Sequence, residues 1–292
     1  MITITNERLM VQIDPLGAQM HSIKRRGEDT EYLWQGDAQS WSRQAPVLFP
    51  FVGRLKDDHY GFEGRDFHQT QHGFARGREF KLVNQAADLA VFELESDEQT
   101  RTVYPFEFRL TITYALVEDQ LVISYQVANP ASEQVLRYAL GAHPGFNVPL
   151  TAAGQFETAT LTADPAKVYP QIPLVGPYSD LGHPKELDAR RPIQLNHDLF
   201  DHDALVFAPY GADLSLTLTE PESGHGVTVL TSGNPFVGVW SQYPNTGNFL
   251  CIEPWWGLAD GVDSDGQLTH KPAMNQLALG GVANYQFSIR PF

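Results

Sequence analysis

The stretch LTITYALVEDQLVISYQV, residues 110–127, decides the fold class of this 292-residue chain. Large apolar side chains alternate with smaller or polar ones over residues 110–116 and again over residues 121–127. Because successive side chains of a strand point to opposite faces, this period of two places one face of each run on a core. The acidic pair Glu118-Asp119 separates the two runs, so the stretch predicts a β-hairpin.

The same alternation recurs along the chain, and no segment of ten or more residues has the apolar spacing of an amphipathic helix. The further predicted strands are residues 2–5, 8–13, 18–24, 89–95, 135–140, 214–219, 227–230, 236–241, 249–253 and 285–289. Glycine (24 residues) and proline (20 residues) punctuate them. The sequence therefore predicts an all-β protein made of packed sheets.

No linker divides the chain, so we expect one domain over residues 1–292. The run from Asp164 to Asn196 is rich in proline and glycine, and alternating strands resume on both sides of it. We interpret it as one long loop. Such loops are uncommon in compact domains unless they serve a site or are mobile.

The composition excludes several classes of protein. A net charge of −15 argues against general binding to nucleic acid or to anionic membranes. No run approaches the roughly 18 apolar residues of a membrane span, and residues 1–10 lack the features of a signal peptide. The single cysteine, Cys251, excludes an internal disulfide and fits a reducing compartment. We expect a soluble cytoplasmic protein, either a monomer or a homodimer.

Familiar cofactor motifs are absent. Residues 260–266, DGVDSDG, resemble a calcium loop, but Gly261 breaks the alternation of ligands and no glutamate closes the loop. The ten histidines lack the close spacing of metal ligands on one strand or hairpin. We therefore predict no metal and no cofactor.

A carboxylate follows the apolar run that opens FLCIEPWWG, residues 249–257. Since Pro254 cannot donate a ladder hydrogen bond, we expect the strand to end at Glu253. A carboxylate at the end of a buried strand is partly desolvated, which raises its pKa and suits it to proton transfer. The neighbouring Trp255 and Trp256 are either platforms for a sugar ring or packing residues.

Three other polar side chains lie in apolar or turn-forming runs. Arg54 follows a long apolar stretch, and its guanidinium suits a hydroxyl-rich or anionic ligand or a structural carboxylate. His72 begins the motif HGFAR, residues 72–76. His143 lies between a predicted strand and a Pro-Gly turn, and a histidine of ordinary pKa exchanges protons near neutral pH.

Four motifs in a fixed order carry a resemblance to a known family. They are GR at 53–54, HGFAR at 72–76, GAHPGFN at 141–147 and CIEPWWG at 251–257. Together they resemble the aldose 1-epimerases (galactose mutarotases), most closely the LacX-like branch, nearly from end to end. The resemblance implies a large antiparallel β-sandwich, the galactose mutarotase-like supersandwich, with an open cleft for a small-molecule sugar.

The resemblance also implies residue roles. Glu253 matches the general base that takes the proton of the C1 hydroxyl, and His143 matches the general acid that protonates the ring oxygen. The ring would then open to the aldehyde, rotate about C1–C2 and reclose as the other anomer. His72 and Arg54 match residues that hold the sugar.

Several features leave the substrate open. The substrate-binding aspartate of the family falls on Asp201, with Asp203 as the alternative. Arg76 with Arg54 would suit the phosphate of a hexose 6-phosphate, as in relatives that act on glucose 6-phosphate. Many mutarotases carry a tyrosine where this chain has Gly145, which would widen the pocket or remove a contact.

Three functions follow from these observations. We predict an aldose 1-epimerase of a hexose, with a hexose-6-phosphate 1-epimerase as an alternative. A carbohydrate-binding protein without turnover is the third, and it would need the aromatic cleft but neither Glu253 nor His143. A glycosidase is disfavoured because it needs two opposed carboxylates, and the sequence marks only one.

Overall fold

The computed structural model describes all residues from Met1 to Phe292. Strands dominate, as the alternating sequence predicts. They are β1 (Ile2–Thr5), β2 (Leu9–Asp14), β3 (Gln19–Arg25), β4 (Val47–Leu48), β5 (His59–Phe62), β6 (Arg65–His68), β7 (Lys81–Gln85), β8 (Leu89–Glu95), β9 (Arg109–Val117), β10 (Gln120–Ala128), β11 (Leu136–Tyr138), β12 (Leu140–Ala142), β13 (Gly145–Asn147), β14 (Thr160–Asp164), β15 (Val168–Ile172), β16 (Leu174–Val175), β17 (Tyr178–Ser179), β18 (Lys185–Asp188), β19 (Ile193–Gln194), β20 (Leu205–Phe207), β21 (Leu214–Thr219), β22 (Gly226–Thr231), β23 (Phe236–Trp240), β24 (Phe249–Trp256), β25 (Asn275–Leu277) and β26 (Val282–Pro291).

Helices are few and short. The α-helix α1 covers Glu98–Val103, and a capping box between Asp97 and Thr100 satisfies its first N–H groups. The four 3₁₀ helices are Lys56–Asp58, Ala75–Gly77, Phe156–Thr158 and His197–Phe200. None of these helices is long and apolar enough to cross a bilayer.

Two large antiparallel sheets form the body of the molecule. One has nine strands in the order β19-β14-β21-β22-β26-β10-β9-β8-β7, and the other has the order β18-β15-β20-β23-β24-β12-β4 with β13 also paired to β24. A three-stranded sheet, β1-β2-β3, and three two-stranded ribbons, β11-β25, β16-β17 and β5-β6, complete the fold. The all-β class and the predicted hairpin, now β9-β10, are confirmed.

The main core lies between the two large sheets. Along β9 and β10, every second residue of 110–116 and of 121–127 is buried, while the residues between them are exposed or half-buried. Tyr125 of the nine-stranded sheet meets the indole of Trp256 edge-on, with ring centroids 6.0 Å apart. One cluster of 62 buried residues extends from Ile4 to Ile289. Strands of both large sheets therefore contribute to one core.

The segment from Asp164 to Asn196 differs from its prediction as one long loop. It contains five short strands, β15 to β19, of which two extend the edges of the large sheets. Strands of two to five residues contain too few alternations to be recognised by period, and Pro170 within β15 further obscures the pattern. This segment brings Leu174, Pro177 and Ser179 to the cavity described next.

Candidate active site

The strand β24 continues to Trp256, so the prediction that it ends at Glu253 is wrong. Backbone N–H groups of a strand alternate between its two sides. The N–H of Ile252 donates to the carbonyl of Pro144, 3.2 Å away. The nitrogen of Pro254 therefore faces the same side, where the gap between β12 and β13 leaves β24 without a continuous partner. A proline is tolerated there because little ladder bonding is lost.

The two faces of β24 have different environments. Leu250, Ile252 and Trp256 belong to the main core, whereas Glu253 and Trp255 line a cavity on the opposite face. Of the two tryptophans that the sequence could not distinguish, Trp255 is the one that a ligand can meet.

This cavity has a volume of about 400 Å³ and contains most of the titratable groups that the sequence singled out. Its polar lining includes His72, His143, Asp203, Glu253, Arg43 and Arg76, and its aromatic lining is Trp41, Trp240 and Trp255. Apolar walls with a few convergent polar groups are typical of small-molecule sites.

Four of the six residues predicted for the site line this cavity, and two do not. Arg54 instead turns towards Asp58, with Nη1 3.6 Å from Oδ1, and donates to Gln71 Oε1 at 3.4 Å. Asp201 lies half-exposed beside His202. The alternative, Asp203, lines the cavity.

The centre of the cavity is a contact between His143 and Glu253. Nε2 of His143 is 3.2 Å from Oε2 of Glu253, and both side chains are buried. Burial, and then the charge of Asp203, raise the pKa of Glu253 well above its ordinary value. Burial lowers the pKa of His143 to about 3, with smaller contributions from the charges of Arg76 and Arg43. Without a ligand, the pair therefore favours its uncharged form, a carboxylic acid beside a neutral imidazole.

The chain itself explains why these two residues meet. His143 lies in the gap between β12 and β13, and both of those strands pair with β24. Glu253 lies on β24 between the two paired segments. The gap between β12 and β13 therefore places the imidazole of His143 directly beside the carboxyl group of Glu253.

Three polar atoms of the site have no hydrogen-bond partner in the protein. They are Nδ1 of His143, Nε1 of Trp255 and Oε2 of Glu253, whose 3.2 Å contact with His143 lacks hydrogen-bond geometry. Buried polar atoms are normally paired, and unpaired ones are costly. Their convergence on one cavity indicates a site for a polar ligand.

The imidazole of His72 presents a donor to the same cavity. Its Nδ1 accepts from the backbone N–H of Gly53 at 3.0 Å, so a neutral ring must carry its proton on Nε2. Burial, and then the charges of His143 and three arginines, lower the pKa of His72 well below its usual value, which keeps the ring neutral. This loop packs closely on the backbone of Phe49, because a side chain at Gly73 would collide with it.

Asp203 supplies an acceptor from a strained turn. Its backbone is left-handed, with φ of 69°, and its Oδ1 accepts from the N–H of Ala204 at 2.8 Å. Desolvation beside the cavity raises its pKa, although much of the residue remains exposed. After the 3₁₀ helix His197–Phe200, Asp203 lines the cavity and Asp201 does not, although both residues are exposed.

Two cations of the lining lack a carboxylate partner. Neither Arg43 nor Arg76 forms an ion pair within the protein, and Arg76 donates to the carbonyl of Gln71 at 2.6 Å. Burial, and then the charges of Arg43 and Arg54, lower the pKa of Arg76 to about 10, so it stays charged at neutral pH. No motif in the sequence marks Arg43 or Trp41, whose only signal is an aromatic and a basic residue close together in a polar run.

A metal-ligand set also exists at the site. His143, Cys251 and Glu253 each offer one ligand atom, and these atoms lie within 4.8 Å of one another. Burial, and then the charge of Glu253, raise the pKa of the Cys251 thiol well above its ordinary value. Because a metal binds the thiolate, this environment disfavours coordination by the sulfur. The acid–base pair is the better interpretation of the cluster.

Known proteins resemble this chain over nearly its whole length. The family described as aldose 1-epimerase matches residues 1–265. The chromosomal protein LacX of Lactococcus lactis subsp. lactis is 31% identical over 284 residues, covering 94% of each chain. A galactose mutarotase related enzyme from Lactobacillus acidophilus is 38% identical, with a TM-score of 0.97 and coverage of 100% of this chain and 97% of that one. A galactose mutarotase-like protein from Lactobacillus casei is 29% identical, with a TM-score of 0.90 and full coverage of both chains.

Proposed function

Since the chain belongs to the aldose 1-epimerase family and is thus an isomerase of sugars, we propose that it interconverts the α and β anomers of a free hexose. The observation that carries this proposal is the buried contact of 3.2 Å between His143 and Glu253 in a cavity of sugar size. Mutarotation needs one acid and one base, and a positioned group of either kind contributes about 10²–10⁴-fold.

One shared proton is enough for the cycle. Transfer of the proton from Glu253 to His143 gives a carboxylate and an imidazolium. The carboxylate then takes the proton of the C1 hydroxyl while the imidazolium protonates the ring oxygen, and the C1–O5 bond breaks to give the open-chain aldehyde. After rotation about C1–C2, attack of the C5 hydroxyl on the other face reverses both transfers and closes the ring as the other anomer.

The other lining groups suit the hydroxyls of a sugar. The Nε2–H of His72 is a donor, the carboxyl group of Asp203 is an acceptor, and the indole of Trp255 offers an aromatic face and an unpaired N–H. Arg54 acts from outside the cavity in this account, through Gln71, whose side chain lies in the lining.

The two aspartates of residues 201–203 provide a matched test of sugar binding. We expect Asp203→Asn to raise KM about tenfold, since one charge-assisted hydrogen bond is worth roughly 1.5–3 kcal/mol. Asp201→Asn should leave KM unchanged because Asp201 lies outside the cavity. Steady-state kinetics on both variants check this, and a larger effect at Asp201 would reverse the assignment.

One observation favours a second substrate class, hexose 6-phosphates. Arg43 and Arg76 bring two cations without carboxylate partners to the cavity of an otherwise acidic protein. A guanidinium binds phosphate oxygens in a bidentate manner. This alternative keeps the acid–base pair and changes only the group that the arginines hold.

Substitution of Arg76 separates the two substrate classes. If the substrate is phosphorylated, Arg76→Ala should raise KM for the sugar phosphate at least tenfold, and inorganic phosphate should compete with substrate in the wild type. For a free hexose, we expect KM in Arg76→Ala to change less than about threefold, because the substrate has no phosphate charge for Arg76 to bind. Arg191→Ala, on an exposed residue outside the cavity, is the control.

The proposal is tested by the rate of anomer exchange, followed by polarimetry or by magnetisation transfer between the two C1 protons. We expect exchange well above the buffer rate for at least one hexose or hexose 6-phosphate. A protein that binds these sugars without accelerating their exchange would be the carbohydrate-binding alternative.

A further inference from the structure

The indole of Trp41 stacks on the imidazole of His143. Their ring centroids are 4.9 Å apart and their planes differ by 26°. Trp41 belongs to the irregular segment before β4, which the sequence motifs do not include. It is therefore a cavity residue to which the proposed chemistry assigns no role.

Contacts away from His143 hold the indole in place. It stacks on the ring of Phe249, with centroids 5.2 Å apart, and Trp240 meets it edge-on at 5.7 Å. The backbone carbonyl of Trp41 accepts from the indole N–H of Trp34 at 2.8 Å and from the N–H of Asp37 at 2.9 Å. Trp41 can thus act as a fixed surface for the imidazole.

His143 needs such a surface because no hydrogen bond orients its ring. Its Nδ1 has no partner in the protein, and its Nε2 faces only Glu253, with which it exchanges the proton. A catalytic histidine is usually oriented by a carbonyl or carboxylate on its second nitrogen. Here the flat contact with Trp41 and the edge contacts with His72 and Trp240 remain.

Gly145 makes room for this stack. A Cβ at Gly145 would lie 2.8 Å from the six-membered ring of Trp41 and 3.3 Å from Cβ of Trp34. The backbone of Gly145 is not left-handed, so space rather than conformation requires the glycine. The missing tyrosine was expected to widen the pocket or remove a contact, and the ring of Trp41, from another segment of the chain, lies against Gly145.

From this packing, and on the basis of the proposed function, we propose that Trp41 is the positioning residue for the acid His143. The stack fixes the plane of the imidazole, so that Nε2 stays in line with the carboxyl group of Glu253 and with the sugar ring oxygen. The π-face also attracts the imidazolium that forms during turnover, as cations are attracted to indole faces.

Two substitutions separate stacking from cavity filling. Trp41→Leu removes the ring and keeps an apolar side chain, and we expect kcat to fall about tenfold with KM within about twofold, in the range of one lost cation–π contact. Trp41→Phe retains a stacking ring and should recover most of the rate. A fall in both variants through KM alone would overturn the proposal, because it would mean that the indole only binds sugar.

A double-mutant cycle tests whether the effect passes through His143. In a His143→Gln background, Trp41→Leu should cause no further loss of kcat. A further tenfold loss there would contradict the inference. Gly145→Ala, which pushes Trp41 from its place, should reproduce the kinetic defect of Trp41→Leu.

A readout without substrate separates this inference from the proposed function. The imidazole protons of His143 should be shifted upfield in NMR spectra by the indole ring current. The shift should disappear in Trp41→Leu and persist in part in Trp41→Phe. If the wild type accelerates no anomer exchange, the proposed function fails, but the NMR spectra still test the contact between Trp41 and His143. Identical His143 chemical shifts in wild type and Trp41→Leu would overturn the proposed role of Trp41.

Discussion

Glu253→Gln should lower kcat for anomer exchange by about 10³-fold and at the same time stabilise the fold. The first effect follows because glutamine cannot accept the C1 proton, and a positioned base is worth about 10²–10⁴-fold. The side chain keeps its shape, so KM should change little. Anomer-exchange kinetics on the purified variant measure this loss.

The gain in stability follows from the environment of the carboxyl group. Burial raises the pKa of Glu253 in the folded protein above its ordinary value of 4.5. The folded state then binds the proton more tightly than the unfolded chain, so the wild type loses stability as pH rises above about 4.5. Glu253→Gln has no such proton, and its Tm advantage over the wild type should therefore grow with pH. Such a trade-off between stability and activity is common at active sites.

Glu220 provides a matched control for this variant. It is equally buried, but its carboxylate accepts from the N–H groups of Leu150 and Thr151 and from the Thr151 hydroxyl. Glu220→Gln should cost about 1–2 kcal/mol of stability because charge-assisted hydrogen bonds are lost. It should leave kcat unchanged, since Glu220 lies outside the cavity. Equal stability changes in the two variants would contradict the assigned difference between the two carboxyl groups.

Lys271→Met should destabilise the protein by about 3–5 kcal/mol, the usual cost of leaving one partner of a buried ion pair alone. Nζ of Lys271 is 2.9 Å from Oδ1 of Asp260 and donates to the carbonyl of Leu258 at 2.8 Å, and both charged side chains are almost fully buried. Urea unfolding measures the loss. The double variant Asp260→Asn/Lys271→Met should recover part of it.

The same ion pair supports a wall of the cavity. Asp260 also accepts from the N–H of Lys56 and from the hydroxyl of Ser264, and its own N–H donates to the carbonyl of Arg54. Leu258 and Ala259, which precede it, line the cavity. The exposed pair Asp188–Arg190 is the control, because Arg190→Met should leave Tm unchanged. A Lys271→Met protein as stable as this control would contradict the structural role.

The fold class was predictable because its signal is local. In the hairpin of residues 110–127, apolar and polar side chains alternate from one residue to the next, and this alternation alone shows which side chains face the core. The extension of β24 past Pro254 was not predictable. It depends on the gap between β12 and β13, which lie more than a hundred residues earlier in the chain. In the sequence, a proline indicates the end of a strand. In the fold, β24 accommodates Pro254 because no continuous partner strand lies beside it there.

The candidate site was predictable to a similar degree. Glu253, His143 and His72 were marked because a polar residue interrupts an apolar or turn-forming run, and all three line one cavity. Asp201 and Asp203 are two residues apart, and the left-handed backbone at Asp203 determines which of the two lines the cavity. Trp41 was not predictable, because it lies in an irregular segment whose position in the fold no local sequence pattern indicates.

We propose that the pair His143–Glu253 accelerates anomer exchange. The most direct measurement is magnetisation transfer between the α and β C1 protons, on matched hexoses and hexose 6-phosphates, with wild type and Glu253→Gln at equal concentration. We expect fast exchange of at least one sugar with the wild type and about 10³-fold slower exchange with the folded variant. Exchange at the buffer rate for every sugar with the wild type, or equal exchange by the two proteins, would contradict it.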